Sequence, residues 1–162
     1  LFGSALVQDT DDRLWDEVRW PTERTADVDE SLLAFGVRAT RQTKSNAIVI
    51  VRRRADGTCQ VLGMGAGQPN RVDSVRLSLA SAKATLGAEL DTEEAVLEEL
   101  GRALLVSDAF FPFPDNIQEA AAAGIRTVVQ PGGSIRDKRV IKACNELGVA
   151  MAFVGLRHFR HA

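Results

Sequence analysis

The stretch ALLVSDAFFPFPDNIQEAAAAGIRTVVQPGGSIRDKRVIKACNELGVAMAFV, residues 103–154, decides the fold. It holds three short apolar runs, Ala103 to Ser107, Thr127 to Gln130 and Val149 to Val154, each strand-sized and each followed by loop residues. Two helical segments separate them. The first follows the loop FFPFPDN, runs through Ala123 and stops at Gly124. The second, Asp137 to Leu147, sets Val140, Ile141, Cys144 and Leu147 on one face and stops at Gly148. Strands joined through helices in this order predict parallel pairing with right-handed crossovers.

Upstream, the β-branched run Ala47 to Val51 is followed by Arg52-Arg53-Arg54-Ala55-Asp56-Gly57 and a second apolar run, Cys59 to Met64. Asp-Gly between two such runs predicts a hairpin, expected on an edge of the same sheet. Gly63, Gly65 and Gly67 then lead to Asn70, behind which Val72, Val75, Leu79, Ala82 and Leu86 recur at helical steps. Asp91 with Glu94 resembles a capping box opening an acidic, solvated helix to Arg102. Near the start, Asp29 to Arg41 offers Leu32, Leu33, Phe35 and Val37 on a short helix; the residues before it are polar and interrupted. The expected fold is α/β, a three-layer α-β-α sandwich whose mixed sheet has a hairpin followed by parallel strands.

A chain of 162 residues, 45% hydrophobic and 26% charged, is sized for one domain or a compact half of a larger one, and its composition excludes disorder. With 20 basic and 22 acidic residues the net charge is -2, so no global field gathers nucleic acid or an anionic membrane, and neither is an expected partner. Cys59 and Cys144 lack a CxxC or a histidine cluster, which argues against a disulfide scaffold or a zinc site and for a reducing, cytoplasmic setting. No apolar run reaches the length of a membrane span and no secretory signal pattern opens the chain. The first residue is Leu1 rather than methionine, so the sequence is expected to be a piece left by processing or cleavage.

Ligands of an open parallel sheet collect beyond the carboxyl ends of its strands, so four loops matter: GAGQPNR (65–71), SDAFFPFPDN (107–116), QPGGS (130–134) and GLRHFRH (155–161), all expected on one edge. GAGQPNR sets small residues before a helix start, with Arg71 beside it, and reads either as a phosphate or carboxylate cradle or as a tight turn with a surface arginine. In FFPFPDN, three phenylalanines in a loop either stack a flat ligand or fold back on the core or a subunit. Asp108 and Asp115 bracket them, as acid/base groups or as turn and helix anchors. His158 and His161, beside Arg157 and Arg160, read as a catalytic base, a solvated end or an anion contact. Arg52, Arg53 and Arg54 read as a solvated edge that blocks strand pairing. Ser134 has no histidine-carboxylate pair and there is no GxSxG element, which disfavours a serine hydrolase.

Taken together, KSNAIV (44–49), GxGAGQxxRVxS (63–74), SDAFFPFxDN (107–116), QPGGSIRD (130–137) and RHFRH (157–161) closely resemble the carboxyl-terminal part of the bifunctional purine biosynthesis family, within its aminoimidazole carboxamide ribonucleotide (AICAR) transformylase domain. The resemblance runs from about Ala5 to the end. It implies transfer of a formyl group from 10-formyltetrahydrofolate to the AICAR amine. It further implies that residues 1–162 form the second of two cytidine-deaminase-like subdomains, without the first and without the IMP cyclohydrolase domain. By resemblance Asn46 contacts the reacting amine and carboxamide region, Arg71 and Arg157 the nucleotide, and Phe110 the imidazole. Val72, Pro112, Phe113, Asp115 and Ser134 match positions near the folate, and Thr43, Ser45 and Asp108 lie near a structural potassium ion. The family's proton-handling Lys-His motif is missing, because none of Lys44, Lys83, Lys138 and Lys142 precedes a histidine. A complementary half or a homodimer partner is therefore expected to complete the site. The PCxxC of zinc deaminases is also missing, so zinc is not expected. Pro69, Asn70 and Pro114 depart from the family pattern near the folate. The alternatives are a non-catalytic nucleotide- or folate-binding subunit, and a formyltransferase for a different amine.

Overall fold

The computed structural model describes residues 12–160; the ALVQD segment at 5–9 and His161 lie outside the described residues. Its elements in chain order are α1 (Glu30–Arg41), β1 (Ile48–Arg53), β2 (Cys59–Gly65), α2 (Arg71–Gly87), α3 (Glu93–Arg102), β3 (Leu104–Ser107), α4 (Asp115–Ala122), β4 (Thr127–Gln130), α5 (Asp137–Leu147) and β5 (Ala150–Phe153). The sheet order is β2-β1-β3-β4-β5, with β1 antiparallel to both β2 and β3, and β3, β4 and β5 parallel. The hairpin thus supplies an edge strand, as expected, and its antiparallel join to β3 makes the sheet mixed.

Alternation along the strands separates two cores. Ile48, Ile50, Leu62, Leu105, Val128 and Met151 face α2 to α5, where Val75, Leu79, Leu86, Leu100, Ile117, Val140 and Cys144 meet them. Val49, Val51, Leu104, Val106, Val129 and Ala152 face the other way, onto Leu32, Leu33 and Val37 of α1. Beside α1, this second layer is finished by the irregular segment before it, whose Trp15, Val18 and Trp20 pack on the same cluster. That segment also runs against the β5 edge: Arg19 and Phe153 exchange backbone hydrogen bonds of 2.9 and 2.7 Å. Burial pushes the Cys144 thiol up to about 12, so this cysteine is core rather than nucleophile.

Four details differ from the sequence reading. The cap of α3 is Thr92, whose side chain accepts from the Ala95 amide, and not Asp91. Leu147 is exposed because α5 turns Val140, Ala143 and Cys144 inward, leaving its last residue at the rim. Val72 is only half-buried, while Ser74 and Ser78 join Val75 and Leu79 on the packed face of α2. Most consequentially, Arg52 is buried rather than solvated. Since β1 is an interior strand, alternation carries residue 52 to the same face as Ile48 and Ile50, under the α2–α3 connection. There it pairs with Glu89 and, at 3.2 Å, with Glu99, and donates to Gln60 Oε1.

This cluster, an Arg52 staple between β1 and the α2–α3 connection, has a pH signature. Hydrogen bonds from Arg52 and Gln60 hold the Glu89 carboxyl below its ordinary value. A carboxylate depressed in the folded state adds stability above its unfolded pKa, and that stability is lost as pH falls through the lowered value. Urea midpoints measured across the acid range are therefore expected to fall less steeply in Glu89→Gln than in the unsubstituted chain; parallel curves would remove Glu89 from the staple.

Candidate functional site

All four loops do open on one edge, because β2, β3, β4 and β5 end there and the antiparallel β1 begins there. At its centre lies a hydrogen-bonded chain from three of the segments singled out by motif. Asp108, just past β3, is fully buried and forms an ion pair with Arg71, the first residue of α2, whose side chain is 6% exposed. Arg71 Nη1 also donates to Ser107 Oγ at 3.2 Å, and Nη2 donates to Asn46 Oδ1 at 2.9 Å. Asn46 in turn donates from Nδ2 to the Gln68 carbonyl at 2.9 Å, and its own carbonyl accepts from Ser74 Oγ at 2.9 Å. One Nδ2 hydrogen of this half-buried amide has no acceptor among the described residues and is open to a ligand.

Arg71 is therefore not a surface arginine at a tight turn. Its charge is neutralised from behind by Asp108, and its second nitrogen fixes which way the Asn46 amide faces. Close approach of α2 to β2 makes this possible. A Cβ on Gly65 would lie 1.9 Å from the Ser74 carbonyl oxygen, and one on Gly63 2.0 Å from that of Ser78. Only glycine lets the start of the helix settle against the strand ends.

The aromatic loop divides its roles. Phe111 is 1% exposed and core, its amide donating to Gln130 Oε1 at 3.0 Å. Phe110 is half-buried, with the Arg157 guanidinium 4.6 Å above its ring centroid. Phe113 is 48% exposed, and Arg136 stands 4.3 Å above it. Pro112 is half-buried between them, and Asp115, exposed in the first turn of α4, accepts from the Asn116 amide. Ser134 is half-buried in the PGGS loop, where Gly133 and Ser134 donate their amides to Asp137 Oδ2 at 2.8 and 3.1 Å. Gly132 and Gly133 hold φ of +76° and +86°, a backbone region that residues with a side chain rarely adopt. The tail returns beside this loop: Arg157 Nη2 lies 3.8 Å from where a Gly133 Cβ would be.

His158 is a buried tie rather than a solvated end or a base, because the tail doubles back into the edge instead of leaving it. Its amide donates to the Asp108 carbonyl at 2.9 Å and its ring Nε2 meets the Leu14 carbonyl at 3.0 Å. Two residues on, Ser45 and Arg160 exchange hydrogen bonds of 2.8 and 3.0 Å. The same turn contains Thr43, whose Oγ1 donates to the Ala39 carbonyl at 2.8 Å. Thr43, Ser45 and Asp108 are each buried, and Asp108 Oδ2 has no hydrogen-bond partner among the described residues. Arg136, over the Phe113 ring, is the cation at this edge that sequence reading did not single out. Its only signal was a cation within QPGGSIRD, beside an isoleucine with no amphipathic partner.

A family model described as the AICARFT/IMPCHase bienzyme matches residues 1–81, half of the chain. The chain belongs to the AICARFT/IMPCHase family. It is 42% identical over 162 residues to the bifunctional purine biosynthesis protein PurH of Persephonella marina, covering 99% of this chain and 28% of that protein. The PurH proteins of Rhodopirellula baltica, 42% identical over 164 residues, and Streptococcus uberis, 44% identical over 164, match with the same two coverages. The chain thus spans about 28% of the length of these PurH relatives. Among the described residues no helix is long and apolar enough to cross a membrane.

Proposed function

We propose that this chain is the nucleotide- and folate-binding half of an AICAR transformylase site, the second cytidine-deaminase-like subdomain of that domain, working in the cytoplasm. The convergence of Asn46, Arg71, Phe110 and Arg157 on one sheet edge carries the reading. In the reaction the AICAR amine nitrogen attacks the formyl carbon, a tetrahedral oxyanion forms, and the bond to folate N10 breaks as N10 takes up a proton. The amine is conjugated to the ring and carboxamide, so it needs a base. That base belongs to the Lys-His pair, which comes from a complementary segment or a dimer partner.

This chain's own residues bind and orient. Asn46, held by Arg71, presents its free amide hydrogen to the carboxamide region. Phe110 gives the imidazole a flat wall, and Arg157 above it reaches the phosphate with a planar, bidentate fork. Arg71 supports the nucleotide through Asn46 with its charge already balanced. Val72, Pro112 and Phe113 offer the pteridine apolar contact, and Asp115 and Ser134 supply polar contacts at its edge. The resemblance assigns a potassium ion to Thr43, Ser45 and Asp108, all oxygen donors, and the buried Asp108 Oδ2, without a partner among the described residues, would suit it. Such an ion would add a fixed charge that stiffens the turn before β1.

Arg157 makes the sharper test, because it is exposed and can be removed without unfolding the chain. Arg157→Ala is expected to weaken AICAR binding by about 1.5–3 kcal/mol, the scale of a lost charge-assisted hydrogen bond, with the urea midpoint unchanged. Calorimetric titration with AICAR reads it. Unchanged affinity would remove the tail from the nucleotide site and the proposal with it.

A further inference from the structure

We propose that Gln130, the last residue of β4, is a positioning residue that holds the aromatic loop so that Phe110 faces the nucleotide; this rests on the nucleotide reading above. The loop from β3 to α4 has no ladder of its own. Among the described residues, none of residues 109–113 takes part in a backbone–backbone hydrogen bond, and Pro112 and Pro114 bring no amide hydrogen. Side chains hold the loop instead. Ser107 Oγ donates to the Ala109 carbonyl at 2.7 Å, the Phe111 amide donates to Gln130 Oε1 at 3.0 Å, and Asn116 Nδ2 donates to the Phe113 carbonyl at 3.3 Å. Ser107, Gln130 and Asn116 are all buried. They grip residues 109, 111 and 113, and Phe110 is the side chain presented between the first two grips.

Of the three, Gln130 is the one that packing does not explain. It is 0% exposed beside Phe111 and Met151 of the apolar core, where a leucine or methionine would carry no desolvation cost. Its Nε2 meets the Met151 sulfur at 3.1 Å, a weak acceptor, so the strong bond of this amide is the one to the loop backbone. The Phe111 N–H can only donate, which fixes the amide with its oxygen towards the loop. The main chain here serves the other partner of the pair. The Gln130 carbonyl accepts from the Val154 amide at 3.0 Å and the Pro131 carbonyl from Gly155 at 3.1 Å, which starts the tail towards Arg157. One residue thus ties the two segments that bring Phe110 and Arg157 together. Without its side chain the Phe111 amide loses its acceptor, and it reaches water only if the loop lifts and carries Phe110 away.

AICAR is titrated by calorimetry into four full chains: the unsubstituted one, Gln130→Met, which keeps the volume and deletes the acceptor, Phe110→Ala, and the double variant. Gln130→Met is expected to bind AICAR about fivefold more weakly, the scale of one hydrogen bond withdrawn from the binding-competent loop. In the Phe110→Ala background the same substitution should add nothing, since its effect passes through that ring. Gln130→Glu keeps an acceptor oxygen, and burial favours its neutral carboxyl, so it should keep most of the affinity. Amide exchange gives a reading without ligand: the Phe111 amide should exchange slowly in the unsubstituted chain and about tenfold or more faster in Gln130→Met. Unchanged affinity in Gln130→Met overturns the positioning role and leaves the nucleotide reading standing. So does an equal loss in the Phe110→Ala background, or a Phe111 amide that exchanges freely in the unsubstituted chain. Equal losses in Gln130→Met and Gln130→Glu assign the effect to packing and overturn it too. If the unsubstituted chain binds no AICAR, the nucleotide reading itself fails and takes the inference with it.

Discussion

Asp108→Ala is expected to destabilise the chain by about 3–5 kcal/mol, because it strands the Arg71 guanidinium in a buried site without its counter-charge. Arg71 is 7% exposed overall, and among the described residues only Ser107 Oγ and Asn46 Oδ1 would remain as acceptors. The cost measures the broken pair, not the worth of the intact one. The double variant Arg71→Met/Asp108→Leu is therefore expected to recover most of the lost stability, while losing the clamp on Asn46 and with it affinity for AICAR. Urea denaturation of the three chains checks the first half and AICAR titration the second. A single variant as stable as the parent would mean that Asp108 does not neutralise Arg71.

Gly65→Ala should cost about 3 kcal/mol or more, at or above the upper end of overpacking effects, since the new methyl meets backbone rather than a side chain that can turn aside. Relief requires α2 to move away from β2. Arg71 is the first residue of α2, so that movement also draws it from Asn46, and nucleotide affinity should fall together with stability. Gly87, at the far end of the same helix, is the control. A Cβ there meets nothing within 4 Å and its backbone is ordinary, so Gly87→Ala is expected to be neutral or stabilising by up to about 1 kcal/mol. Thermal melts of the two variants separate close approach from helix propensity.

The elements were legible because their signals are local. Gly124 and Gly148 end helices, Asp-Gly turns a hairpin, and β-branched runs make strands whatever their neighbours. The placement of the four candidate loops on one edge followed from connectivity alone. What escaped was set by neighbours in space. Arg52 looked solvated because nothing in its segment shows that β1 lies inside the sheet, with Glu89 and Glu99 above it. His158 looked like a loose end because the return of the tail to Asp108 is a tertiary contact. Arg71 was legible as a candidate beside the glycine loop, but its balance by Asp108 required the fold to bring residues 71 and 108 together. Thr92 displaced Asp91 as the cap by a single residue, within the ordinary uncertainty of helix ends.

The central claim is that one edge of this sheet seats the nucleotide. A crystal structure of the chain with AICAR tests it most directly. The account predicts the imidazole against Phe110, the carboxamide within hydrogen-bond reach of Asn46 Nδ2, and the phosphate on Arg157. A nucleotide bound elsewhere, with Asn46, Phe110 and Arg157 untouched, would contradict it.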